Sequence, residues 1–203
     1  MRFRLSAFIV TLAMLIILRG LQTGLTTGKS LTALPASVSY LGTTRWLWLP
    51  VSLWLCFALF LAGIVFLGFF RHGRAIYAIG GNPEAARAAG IRTDRVIWIV
   101  FVVGSMLAAL AGLMQTGRLG SVAAAQGEGL IFQVFAAAVI GGVSLDGGKG
   151  TLFGALCGVI VLGMTNNILA LAQVSGYWIK ALNGAIILVA LVLARLTTGK
   201  AQD

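Results

Sequence analysis

Acidic side chains are scarce in this chain: 203 residues hold five Asp and Glu against 15 Lys and Arg, with one histidine, two cysteines and three prolines. A zinc or carboxylate-rich metal site therefore has almost nothing to be built from, and no metal ligand is assigned. A membrane-embedded enzyme fails on the same inventory. It would need clustered His, Asp, Ser or Cys at depth, and His72, the single histidine, lies in a polar stretch. No catalytic residue is assigned either. Cys56 and Cys157 both fall inside apolar runs, where a lone cysteine behaves as a small hydrophobe, so no disulfide is expected. Charge of either sign is sparse, at 10% of residues, whereas a soluble domain carries roughly a quarter.

Apolar residues fill the space that charge leaves, at 59% of the chain. A bilayer-crossing helix needs about 20 predominantly apolar residues, with a lower end near 17. Six stretches come close: Leu5–Leu18, Trp46–Phe70, Val96–Met114, Leu130–Val143, Leu152–Leu171 and Trp178–Ala194. The expected fold class is all-α, a polytopic helical integral membrane protein of about six segments forming one transmembrane domain over residues 1–203. The first and fourth stretches are short, and the fourth ends in glycine, which leaves a re-entrant or broken helix open. No cleavable signal peptide is evident, because the run after Met1 leads into Arg19 and Gly20 without a small-residue cleavage pattern. The net charge of +10 does not point to nucleic acid, since the bases are scattered singly between apolar runs.

Those bases orient the chain instead. Residues 71–95 carry Arg71, Arg74, Arg87, Arg92 and Arg95 against Glu84 and Asp94, a balance of 5 − 2 = +3, and Arg195 and Lys200 follow the last segment. Both regions belong on the cytoplasmic side, with Arg2, Arg4 and the turn at Lys149. The loop from Gly20 to Arg45 is then outside, although Lys29 and Arg45 lie in it. Trp46, Trp48, Tyr177 and Trp178 stand at segment ends, where aromatics anchor at headgroup level; stacking on a sugar is the other use for them.

The 71–95 island has internal structure. Asn82-Pro83-Glu84 reads as a helix start: Asn accepts backbone N–H groups as N-cap, Pro fits the first helical position, and Glu suits the positive N-terminal end. Gly90 is a natural stop. Between them Ala85, Ala86, Arg87, Ala88 and Ala89 make about two turns, too short to be stable in water without lying against something. That something is the protein's own surface or a partner. A docking helix and a solvated basic loop that merely fixes topology are both consistent with these residues.

The string "GRAIYAIGGNPEAARAAGI" resembles the cytoplasmic coupling segment of bacterial ATP-binding-cassette permeases of the ribose, xylose and arabinose type. Glu84-Ala85-Ala86 with Gly90 also echoes the EAA loop of import permeases, though the downstream Ile-x-Leu-Pro part is absent. The likeness continues through "FAAAVIGGVSLDGGKGTLFGALCGVIVLG", "GYWIKALNGAIILVALVL" and "FIVTLAMLIILRGLQTGLTTGKS", nearly the whole chain. Permeases of this type are usually about half as long again, so the chain looks like one lacking the family's first few membrane helices. The resemblance implies a transport subunit with no ATPase site of its own, in the bacterial cytoplasmic (inner) membrane. Its implied partners are a cassette ATPase that uses ATP and Mg, a second permease chain (a copy or a close homologue), an extracytoplasmic sugar-binding protein, membrane lipid and the sugar itself. It assigns ATPase coupling to Arg74, Gly80, Gly81, Asn82, Glu84, Ala85, Ala86, Arg87, Gly90 and Arg92. Glu84 would set the helix N-terminus, Arg87 and Arg92 would engage the ATPase groove, and Gly80 and Gly81 would let the chain turn into the helix.

The glycine cluster "GGVSLDGGKGT" invites a phosphate-loop reading that its spacing rejects. G-x-x-x-x-G-K-[ST] ending at Lys149 requires Gly at 143 and Ser or Thr at 150, where this chain has Val143 and Gly150. A tight cytoplasmic turn over 144–150 is expected, followed by a helix whose Gly150, Gly154 and Gly158 lie on one face and, with Gly163, admit close helix packing. No acid lies central in an apolar run, so proton coupling has no carrier at depth and the driving energy is expected from another subunit. An ATPase-independent secondary transporter or channel stays open, because backbone carbonyls of broken helices also bind sodium. Uncharged polar groups do occur at depth: Gln133, Thr165, Asn166, Asn167 and Asn183. They serve either interhelical hydrogen bonding or a sugar path.

Overall fold

The computed structural model describes residues 7–30, 35, 40, 42–123, 126–144, 147–176, 178, 179, 181, 182, 184–186, 188 and 192. Among these the helices are α1 (Ala7–Thr26), α2 (Val51–Phe69), α3 (Arg71–Gly81), α4 (Pro83–Ala88), α5 (Thr93–Leu119), α6 (Leu130–Ile140) and α7 (Leu152–Leu171). A two-residue antiparallel hairpin, β1 (Arg45–Trp46) and β2 (Leu49–Pro50), precedes α2. Described residues from Gly176 to Val192 are also helical.

Among the described residues four helices, α1, α2, α5 and α7, are long and apolar enough to cross a membrane. The expected bounds of the fifth stretch, Leu152–Leu171, match α7. Two others grow. The first stretch was expected to stop at Leu18, yet α1 runs on through Arg19, Gly20 and Gln22 to Thr26 and reaches spanning length. Hydropathy penalises those residues, but a backbone hydrogen-bonded from i to i−4 has no reason to break at a single arginine. Helix α5 covers 27 residues because Thr93 and Asp94 start it before the apolar run and Thr116 to Leu119 continue it afterwards. The fourth stretch does the opposite. Helix α6 has 11 residues and rises about 16 Å, half of a bilayer core of roughly 30 Å. It is too short to span alone, as its short apolar run led one to expect.

The chain divides into two compact units. One comprises Met1–Leu53 and Ala109–Gln126. Within it Gly42 rests on the backbone of Gly117 and Arg118, and the Gln126 amide donates to Thr116 Oγ1 at 3.1 Å. In its hairpin the turn residues Leu47 and Trp48 have φ of 49° and 70°, the left-handed pair that a two-residue hairpin loop requires. The other unit comprises Trp54–Ala108 and Gly127–Asp203. There α2 turns into α3 at the extended Phe70, and buried Gly73 fits beneath the Phe66 and Leu67 backbone.

Helices α6 and α7 pack along each other in that second unit. Gly154 lies against the Gly141 carbonyl and Gly158 against the Ala137 carbonyl, approaches that any side chain would block. Buried Ala136, Ala137 and Leu162 form the core there, with Ile186 of the last segment packed on it. Expected packing residues Gly154 and Gly158 are therefore in place. Gly150 is not on the helix: the N-cap is Thr151, whose hydroxyl accepts from Gly154 N at 3.0 Å. Gly150 instead sits at φ 142° against Val143. Helix phase extrapolated backwards misses it because the cap, one residue later, ends the helical geometry. Gly163 meets nothing within 4 Å. Gly158→Val should therefore lower stability by about 1–3 kcal/mol through overpacking, whereas Gly163→Val should leave the thermal unfolding midpoint in detergent nearly unchanged.

Candidate functional site

The second unit brings together two segments that the sequence separates by about sixty residues: the 71–95 island and the glycine turn. The island is two helices joined at one residue. Asn82 closes α3, its N–H donating to Ala78 O, and opens α4, its side-chain oxygen accepting from Glu84 N and Ala85 N at 3.0 Å each. Pro83 takes the first helical position and Glu84 lies in the first turn, as expected. Helix α4 ends in a Schellman motif: Ile91 N donates to Ala86 O at 3.0 Å and Gly90 N to Arg87 O at 2.9 Å. Gly90 adopts φ 83°, which is why glycine suits this stop.

Gly80 and Gly81 do not make the bend. They are the last residues of α3, and Asn82 alone turns the chain. Their role is tertiary: a methyl group on Gly80 would come within 3.0 Å of Gly148 Cα, and one on Gly148 within 2.6 Å of Gly81 Cα. Two backbones thus cross with no side chain between them. The turn is held in shape for this contact by Ser144 N donating to Lys149 O at 2.9 Å and by Gly147 N donating to Ser144 O at 3.3 Å. Gly147 and Gly148, which the sequence offered only as turn formers, are half of the contact.

Arg87 has partners within its own chain. Its Nε donates to Thr93 Oγ1 at 2.9 Å and its terminal nitrogen pairs with Asp94 Oδ1 at 3.1 Å, so it ties α4 to the first turn of α5. Thr93 is 3% exposed and anchors the tie, while the ion pair itself is largely in solvent and worth at most about 1 kcal/mol. Thr93 and Asp94 were missed as partners because the bend at Gly90 hides their proximity; a Thr-Asp pair opening a helix just after a short arginine-bearing one is the available signal. Ala86 is buried at 4% and seats α4 on its own chain, leaving Asn82, Glu84, Ala85 and Gly90 exposed. Arg92 borders a shallow open groove of about 310 Å³ with Arg95. Arg74 is exposed on α3.

The polar residues at depth divide. Thr165 Oγ1 donates to Val161 O at 2.8 Å. Gln133 and Asn167 are exposed, and Asn166 is half-buried with its Oδ1 covered and unpartnered. Asn183 lies outside the described residues.

Residues 1–191 match the family described as branched-chain amino acid transport system / permease component. The chain belongs to this permease family. It is a multi-pass helical membrane protein, and the expected likeness to ribose-type import permeases is borne out. The permease is 38% identical over 194 residues to the ribose import permease protein RbsC of Escherichia coli K12, covering 94% of this chain and 60% of the relative. It is 37% identical to the RbsC protein of Haemophilus influenzae over 196 residues, 93% of this chain and 60% of that one. Against the autoinducer 2 import system permease protein LsrC of Yersinia pseudotuberculosis the identity is 36% over 189 residues, 93% of this chain and 54% of the relative. The permease thus spans a little over half the length of the curated relatives it matches. No solved structure matches it.

The glycine crossing makes an asymmetric prediction. Gly80→Ala should destabilise the permease by about 1–3 kcal/mol, while Gly81→Ala, which meets nothing within 4 Å, should be neutral or stabilising by up to about 1 kcal/mol. Thermal unfolding of the two variants in the same detergent checks it.

Proposed function

We propose that the chain is the membrane-spanning permease subunit of an ATP-binding-cassette importer for a monosaccharide or related sugar, in the bacterial cytoplasmic membrane. Two permease chains would line the pathway, two cassette ATPases would dock at the basic face, and an extracytoplasmic binding protein would deliver the solute. ATP and Mg would belong to the ATPase. The single observation that carries this reading is the mounting of α4. A six-residue helix is capped at both ends, seated by one buried alanine, and placed immediately after a backbone crossing that leads to the α6–α7 pair.

Such a mounting suits force transmission. A helix that partners push must be rigid, and capping satisfies its terminal N–H and C=O groups without tertiary cover. Glu84 complements its N-terminal end, and Arg92 and Arg95 offer charge-assisted hydrogen bonds to acids on the ATPase. Movement of the cassettes on binding ATP would shift α4 as a rigid body. Through α3 and the glycine crossing, the shift would reach the turn between α6 and α7 and open the pathway alternately to each side. Arg87, engaged with Thr93 and Asp94, would pass part of the same motion to α5.

Co-purification tests the reading: the permease expressed in membranes should retain its cassette ATPase, and replacing residues 82–90 by Gly and Ser should release it while insertion persists. Association that survives the replacement would reject α4 as the docking helix. Solute transport in vesicles without any ATPase would favour a secondary transporter or channel instead.

A further inference from the structure

Helices α6 and α7 pack in a register that can be followed past the point where α6 stops. Gly141 meets Gly154 and Ala137 meets Gly158, so each turn back along α6 is matched by one turn forward along α7. Continued by the same step, the register would put Gln133 opposite Leu162, which is buried with Ala136 and Ala137. The next step would put the start of α6 beside Thr165 and Asn166. There α6 ends: Gly129 turns the chain at φ 79° and supplies no side-chain cap.

Asn166 is the next member of the packed stripe Gly154, Gly158, Leu162, Asn166, at fourfold spacing. It lies 166 − 152 = 14 residues beyond the start of α7, about 21 Å along a helix of roughly 30 Å. Its Oδ1 is covered yet accepts no hydrogen bond from protein. A covered amide oxygen left without a donor is a rarity in folded chains and a larger cost where no water competes. Gln133, one turn before Ala137 on the facing stripe, is exposed although it belongs to an otherwise apolar helix. The neighbouring Thr165 hydroxyl is satisfied by the Val161 carbonyl. Broken helices ending at membrane depth are a recurrent place for transporter solute sites.

We propose that Asn166 and Gln133, where α6 gives out beside α7, form a hydrogen-bonding station for a small uncharged polyhydroxylated solute crossing the membrane. Asn166 Oδ1 accepts from a solute hydroxyl, and the Gln133 amide both donates to and accepts from the same molecule. Two neutral amides bring no charge that would hold such a solute tightly, which suits passage better than storage. The inference rests on the importer reading above and names part of its path.

The test uses the full complex of permease, cassette ATPase and binding protein in proteoliposomes, with radiolabelled ribose as the probe. Asn166→Leu and Gln133→Leu should each lower the ratio of ribose imported to ATP hydrolysed roughly tenfold, the loss of one solute hydrogen bond, and Asn166→Gln should restore part of it. A purely structural role would lower uptake and hydrolysis together and leave the ratio unmoved, which overturns the station. An unchanged ratio with normal uptake overturns it as well while the importer reading stands. Absence of ATP-dependent uptake of ribose, and of labelled xylose and arabinose tried in its place, by the unmutated complex would take down both.

Discussion

The crossing of Gly80–Gly81 over Gly147–Gly148 is the constraint on which the arrangement of α3, α4 and the glycine turn depends. It is a contact between main chains, and it depends on the absence of side chains at Gly80, Gly147 and Gly148. Hydrophobic burial cannot supply such a contact, because nothing apolar of any size is involved. What fixes it is hydrogen bonding on either side: the Asn82 cap below α4 and the Ser144–Lys149 closure within the turn. Remove either and the two backbones have little reason to stay in register.

Packing deeper in the unit follows the same rule. The buried apolar residues among those described are Ile79, Ala86, Ala136, Ala137 and Leu162, three of them alanine, whereas large apolar side chains such as Phe57, Trp98, Phe101 and Phe153 face outward. A soluble protein could not survive this inversion. In lipid it is the economical arrangement, because tails solvate Phe and Leu as well as a protein core does, and helix association must come from close backbone approach. The Gly154–Gly141 and Gly158–Ala137 contacts supply it.

Local chemistry was legible in the sequence and long-range contact was not. Asn82-Pro83 as a start and Gly90 as a stop depend only on neighbours in the chain, and both stand where composition put them. The bounds of α7 and the packing role of Gly154 and Gly158 were readable from hydropathy and spacing, but the partners Gly141 and Ala137 were not. Gly80 and Gly81 looked like a hinge because glycine usually marks one; the reason position 80 is glycine sits in another segment. The acceptors of Arg87 within the chain were not legible because they lie beyond a bend. Polar residues at the end of α1 hid a full turn and more of helix from an apolar count.

Asn82 belongs to two helices at once, ending α3 and beginning α4 with no linker between. The elbow is therefore a two-torsion joint, and any swing of α4 against α3 must be taken up by the φ and ψ of that one residue. Its side chain latches the joint at a single setting through Glu84 N and Ala85 N. Rotation away from that setting first releases the latch, at about 1 kcal/mol, a threshold only slightly above thermal energy. The elbow then behaves as a soft detent: it favours one rest angle, yet yields to a modest directed load.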